Sequence, residues 1–456
     1  MLLVQRYRAA LAEARERTLA LVAPVSEANL NSQHHPLMSP LVWDLGHIAA
    51  FEDLWLCQRA GGLAPLRDDL SEVYDAAETP RAQRSEIPYL RRNEALVYMA
   101  HVRERALEVL ENADLSPGVS RIDDPAARLL RSDSFGARRI DDPAARLSLN
   151  ADGFVWEMLV QHEHQHNETM LQTLQLVGPD VYSPPRRGLP ERKPEAGPLT
   201  VHVPDGPFAM GDPGLGFAYD NERPRHEVHV PGFHIDRTPV TNGAYLEFVQ
   251  DGGYANEELW SSEGWRWRTG EQIERPLYWD AEGNERRFEL VMPVEAEMPV
   301  MHVSFYEAEA FARWRGARLP TEAEWEKAAV FDPASGSVRR QPWGEEVASP
   351  ARANVDQMAF GPAPVGSLPE GASPCGALGM IGDAWEWTAS GFEPYPGFSP
   401  FPYREYSEVF FGGPYRALRG GSWATRPSVA RATFRNWDHP ERRQIFTGFR
   451  CAQEAP

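Results

Sequence analysis

The chain has 456 residues, enough for two or three domains of ~100–200 residues each. Its 46 Lys and Arg stand against 66 Asp and Glu, a formal net charge of -20, which argues against a nucleic-acid backbone or an anionic membrane surface as partner. No apolar run of about 18 residues occurs, so no membrane-spanning helix is expected, and the mixed-charge N-terminus lacks the apolar centre of a signal peptide.

Residues 2–22 place Leu3, Tyr7, Leu11, Ala14, Thr18 and Leu21 near a 3.6 period, and Pro24 ends that helix. Ser39-Pro40 predicts a second helix start, with Ser as N-cap and Pro first in the helix. That helix carries Leu41, Leu45, Ile48 and Trp55 toward about residue 59. A third is predicted near 89–112 and a fourth from about Asp152 to the stop signal Gly178-Pro179. Four such helices over 1–178 predict a four-helix bundle, whose core is a common place for metal sites. RIDDPAARL at 121–129 recurs at 139–147. Two copies are too few for a solenoid, and 121–147 reads as a duplicated, solvated loop insert.

Residues 179–198 are rich in Pro and charge and predict a linker. From 199 to 456 short apolar runs, such as Val201–Val203 and Val228–Val230, alternate with Gly and Pro turns. Helix candidates fall near 240–250 and 304–329. This is the pattern of an α+β domain. The three cysteines, Cys57, Cys375 and Cys451, lie far apart and form no CxxC pair. Their number suits a reducing cytoplasm, and no thiolate zinc site is visible.

The strongest chemical signal is QHEHQHNE at 161–168 on the fourth helix. His162 and His166, four apart, project from one helix face, a common two-ligand metal platform. His164 and Glu168 lie about 200° around the helix from these two, so His164 points elsewhere and Glu168 suits an outer supporting role. A third ligand must come from another helix. His47, among apolar neighbours on the second helix, is the first candidate, and His101 on the third is its rival. Three imidazoles suit Fe(II), Zn(II) or Cu(II) alike, and three protein ligands leave open positions, as catalytic sites do.

His47 within SPLVWDLGHI, with His162, His166 and Glu168, resembles the DinB-type helical domain of the ergothioneine sulfoxide synthases, the EgtB family. The second half resembles the formylglycine-generating-enzyme-type, C-type-lectin-like domain that follows it there. Its marks are GPFAMGD (206–212), DNERPRHEV (220–228), RLPTEAEWEKA (318–328), GDAWEWT (382–388), RGGSW (419–423) and GFR (448–450). RNWDHPERRQIF (435–446) is particular to the synthases. The resemblance covers nearly the whole chain apart from the insert. The fold alone would host several functions.

This resemblance implies a non-haem Fe(II) enzyme that uses O2 to join a thiol sulfur to C2 of hercynine and oxidises that sulfur to a sulfoxide. It implies His47, His162 and His166 as iron ligands. Gln165, Asn436 and Trp437 would bind hercynine, an aromatic face suiting a quaternary ammonium. Tyr403 would donate a proton near the iron, with Tyr406 as the neighbouring alternative. Arg81, Arg84, Asp438 and Arg442 match the positions that grip γ-glutamyl-cysteine, since Arg forks bind carboxylates bidentately.

Other readings remain open at this stage. A selenoneine synthase would use a selenosugar, which has no carboxylates for Arg81, Arg84 and Arg442. Free cysteine is a further donor. A formylglycine-generating enzyme needs a cysteine pair, yet only Cys451 follows RGGSW. A bundle fused to a lectin-like binding module would keep its ligand without metal. The expected partners are small molecules, with no nucleic acid and no membrane; the oligomeric state stays open, a monomer included.

Overall fold

The computed structural model describes residues 2–76, 79–116, 146, 149–185, 188, 198–214 and 216–455. Two compact units form. One comprises Met1–Tyr182 with Phe398–Val409, the other Ser183–Gly397 with Phe410–Pro456. The duplicated insert lies outside the described residues, Arg146 excepted.

The first unit is helical: α1 (Leu2–Val22), the short α2 (Glu27–Asn31), α3 (Leu41–Glu52), α4 (Arg92–Asn112) and α5 (Phe154–Leu176). α1 buries Tyr7, Leu11, Ala14, Thr18 and Leu21, the stripe its period dictates, and Arg15 with them. α3 is buried on every side, as expected of a helix apolar all round. It runs directly into a π-helical segment, Asp53–Ala60. Such segments often mark functional sites, and the added residue per turn is invisible to a 3.6 period.

The start of α3 corrects one expectation. Its N-cap is Pro40, without a side-chain cap. Ser39 Oγ instead accepts a 2.6 Å hydrogen bond from Arg84 Nη1. α4 begins at Arg92 rather than 89, where the Glu94 carboxylate reaches back to accept from the Arg91 amide.

The second unit is α+β. A three-stranded sheet has the order β1 (Thr200–Val203), β4 (Phe233–Asp236), β13 (Ala452–Glu454). A four-stranded sheet has the order β11 (Asn436–Asp438), β10 (Arg416–Arg419), β9 (Trp385–Gly391), β12 (Thr447–Gly448). Three antiparallel pairs complete the unit: β2 (Gly206–Met210) with β3 (His226–Val230), β5 (Asn284–Arg287) with β6 (Leu290–Pro293), and β7 (Phe331–Asp332) with β8 (Ser337–Val338). The helices are α6 (Asn242–Gln250), α7 (Ser262–Gly270), α8 (Phe305–Trp314) and α9 (Glu322–Val330). The single helix expected over 304–329 is therefore two. Gly316 adopts φ +66°, a conformation few other residues tolerate. Thr321 then opens α9 with a capping box to Glu324. α7 escaped sequence reading because it buries only Gly264 and so carries no apolar stripe.

Most of the marks of the second half interlock as buried ion pairs. Glu322 of RLPTEAEWEKA accepts from Arg419 of RGGSW at 2.9 Å and from Arg435 at 2.7 Å. Glu386 of GDAWEWT accepts two 2.7 Å bonds from Arg450 of GFR. Glu222 of DNERPRHEV binds Arg431 and Thr433. Gly211 of GPFAMGD donates to Glu326 Oε1 at 2.7 Å. These motifs hold a framework of irregular loops together, because each charge is deeply buried and would be costly unpaired.

Candidate metal centre

His47 projects from α3, and His162 and His166 from one face of α5. One nitrogen of each lies within 4.8 Å of the others. Ring centroids are 5.2 Å apart for His47–His162, 4.8 Å for His47–His166 and 4.6 Å for His162–His166. His101 is exposed on α4 and is not in this group. His164 turns away toward Glu13, at 3.5 Å. Glu168 is buried and is also outside the group.

Local sequence explains the His47 setting. A Cβ on Gly46 would fall 2.1 Å from Cζ of Tyr74, so only glycine lets the Tyr74 loop pack here. That approach brings the Tyr74 carbonyl 2.8 Å from His47 Nδ1. The carbonyl can only accept, so Nδ1 carries the hydrogen and Nε2 keeps a lone pair that can ligate a metal. Trp43 stacks on the same ring at 4.9 Å and 11°. Phe51 stacks on His162 at 3.9 Å and 18°. Burial, followed by the neighbouring histidines, pushes His47 and His162 well below the usual imidazole range. Both rings are therefore neutral, the form that ligates metal. The buried Nδ1 atoms of His162 and His166 have no hydrogen-bond partner among the described residues. Three converging imidazoles fit a divalent metal.

The same helices carry a buried four-charge cluster. Glu52 of α3 and Glu163 of α5 are each bound by Arg15 of α1 and Arg103 of α4, at 2.5–3.1 Å. Thr18 Oγ1 adds 2.8 Å contacts to Glu163 and Asn167. The cluster ties together all four long helices of the unit. Sequence reading missed it; the available signal was Arg15 inside the apolar stripe of α1.

Tyr403 belongs to the same unit, through the returning segment Phe398–Val409. It is 8% exposed. Its ring lies 5.1 Å from Trp55 and 6.0 Å from Phe51, the ring that stacks on His162. Tyr406 is half-buried, 6.2 Å from Tyr403. Tyr403 is thus one ring removed from a histidine of the trio, a placement that spacing along the chain could not reveal.

The remaining expected site residues divide between the units. Gln165 is half-buried one residue before His166, and its Nε2 donates to the Gln161 carbonyl. Arg81 is exposed. Arg84 is buried, donates to Ser39 Oγ and the Thr79 carbonyl, and lies 3.6 Å over the Trp43 ring. Burial pushes its pKa down to about 9, with Arg81 adding to the effect. In the second unit, Asn436, Trp437 and Asp438 form β11. Trp437 stacks on Phe392 at 4.2 Å and 10°. Asn436 Oδ1 accepts from the Trp437 amide, and Asp438 Oδ1 from the His439 amide. Asp438 Oδ2 faces Arg442 Nε at 3.6 Å.

Two family models match the chain. Residues 186–455 match the sulfatase-modifying factor enzyme 1-like domain, and residues 10–170 match the DinB superfamily. The hercynine oxygenase of Mycolicibacterium smegmatis is 45% identical over 457 residues, covering 97% of each chain. That of Mycobacterium tuberculosis is 46% identical over 447 residues, again 97% of each. The formylglycine-generating enzyme of Streptomyces coelicolor is 33% identical, over 58% of this chain and 92% of its own.

Proposed function

The chain belongs to the hercynine oxygenase family, and from that premise we propose that it is an Fe(II)- and O2-dependent sulfoxide synthase of ergothioneine biosynthesis. Its substrates are hercynine and γ-glutamyl-cysteine, and the bond formed joins the thiol sulfur to imidazole C2. One O2 oxygen enters the sulfoxide and the other leaves as water, taking the thiol and C2 hydrogens. The observation that carries the reading is the converging His47, His162 and His166 trio. When bound there, Fe(II) would supply O2 activation and open coordination positions.

The other residues bind, orient and protonate. Gln165, beside His166, offers an amide to hercynine. Asn436 and Trp437 receive its carboxylate and trimethylammonium ends, the indole through cation–π attraction. Arg81 and Arg84 take the carboxylates of the dipeptide, and Asp438 with Arg442 takes its zwitterionic end. Tyr403 holds the proton delivered to oxygen, which favours the sulfoxide over thiol dioxygenation. Its burial beside Trp55 keeps bulk water from replacing it. All three cysteines are free and Cys57 and Cys451 are buried, which supports a substrate thiol as the reacting sulfur and a reducing cytoplasm as the location. Among the described residues no helix is long and apolar enough to cross a membrane.

The test is an anaerobic mixture of protein, Fe(II), hercynine and one donor, opened to O2. Sulfoxide should form with γ-glutamyl-cysteine and far more slowly with free cysteine or a selenosugar. No sulfoxide with any donor would overturn the reaction. Product with another donor alone would overturn the donor assignment.

A further inference from the structure

Each histidine of the trio has a different neighbour behind it. His47 has the Tyr74 carbonyl at 2.8 Å, and His162 has the face of Phe51. His166 has a carboxylate. Asp44, three residues before His47 on α3, places Oδ1 3.4 Å from His166 Nδ1. Asp44 is 1% exposed, and its Oδ2 has no hydrogen-bond partner among the described residues.

A buried carboxylate with an unpartnered oxygen is costly in a bundle core. It is retained most economically where it meets positive charge. Arg84 meets Asp44 electrostatically, and a divalent cation held by the three imidazoles would place a further double charge one ring away. The 3.4 Å contact does not meet hydrogen-bond geometry here, but a small ring rotation would close it, and a ring nitrogen hydrogen-bonded to a carboxylate is fixed in orientation and made more basic at its other nitrogen.

We propose that Asp44 is a positioning residue for His166: its carboxylate accepts the Nδ1 hydrogen, leaves Nε2 as the metal donor, and adds a negative charge behind a bound divalent metal. This inference rests on the three-histidine metal site above. It assigns Asp44 no contact with substrate. Because His47 and Asp44 share α3 one turn apart, the same helix supplies one ligand and orients another on α5. Any shift of α3 against α5 would then disturb both together.

Co(II) is titrated anaerobically into the metal-free full chain, for the parent protein, Asp44→Asn and Asp44→Ala. Affinity, the visible ligand-field bands and the thermal midpoint with and without Co(II) are recorded. Both variants should bind Co(II) about 10–100-fold more weakly, the range typical of such outer partners, with altered bands. Their metal-free midpoints should equal or exceed that of the parent, because a buried charge has been removed. The midpoint gained on adding Co(II) should shrink. Unchanged affinity and bands in both variants would overturn the role of Asp44 while leaving the metal site standing. Equal loss of midpoint with and without Co(II) would show a structural role instead. A parent protein that takes up no Co(II) would overturn the metal site itself.

Discussion

Arg15 Nε lies 2.8 Å from Glu163 Oε1, and Glu163 follows His162 directly on α5. The histidine-bearing helix α5 is thereby anchored to α1 by charge at the point where the first histidine of the trio emerges. Arg103 and Glu52 complete the cluster from α4 and α3. Burial alone would push the Glu163 carboxyl up, yet Arg15 and Arg103 outweigh it and hold it below the usual range. Removing one member leaves an uncompensated buried charge. Glu163→Ala should therefore cost about 3–5 kcal/mol in urea unfolding. A loss below about 1 kcal/mol, the scale of an exposed pair, would show the cluster to be dispensable.

The two arginines of the 81–84 turn should separate cleanly. Arg81 is exposed and Arg84 is buried against Trp43 and Ser39. Arg81→Ala should leave the unfolding midpoint unchanged and raise KM for the dipeptide about tenfold, the loss of one charge-assisted contact. Arg84→Ala should also lower stability, by about 1–2 kcal/mol, since a cation–π contact and hydrogen bonds go with it. Steady-state kinetics beside denaturation curves would decide. Equal stability of the two variants would contradict the burial difference.

Metal stoichiometry tests the trio directly. The parent protein, loaded anaerobically with Fe(II) and desalted, should retain about one equivalent, and His47→Ala and His162→Ala close to none. His101→Ala should retain the full equivalent, because His101 is exposed and outside the group. Elemental analysis gives the answer, and full loading of His47→Ala would remove it from the ligand set.

Acid should unfold the second unit through its buried glutamates. Burial would raise Glu222 and Glu322, but Arg431 beside the first, and Arg435 and Arg419 beside the second, bring both below the ordinary range. A folded pKa below the unfolded value of about 4.3 gives stability that is present above that pH. It is lost as pH falls through the folded value. Glu322→Gln should lower stability at pH 7 and flatten the fall below pH ~4. Urea midpoints between pH 7 and 3 measure this, and an unchanged acid limb would remove Glu322 from the explanation.

Tyr403→Phe should shift product from sulfoxide toward the oxidised, uncoupled thiol, with little change in stability. Tyr406→Phe should leave the ratio alone. Chromatographic separation of the two products decides, and the opposite pattern would move the proton to Tyr406.

The sequence by itself determined the helical first half, the α+β second half and the pairing of His162 with His166. Periodicity fixes which residues share a face within one element, and residues four apart on a helix are always neighbours. It could not choose His47 over His101, because that choice depends on which helix packs against α5. Nor could it show that Asp44 and His166 approach, that Arg15 and Arg103 close a charge cluster with Glu52 and Glu163, or that the 398–409 segment returns to the helical unit with Tyr403. The motifs of the second half read as signatures, yet their glutamates and arginines largely hold one another. All of these are contacts between residues remote in sequence. They are fixed by side-chain packing and by the need to pair every buried charge, and only the tertiary structure decides those.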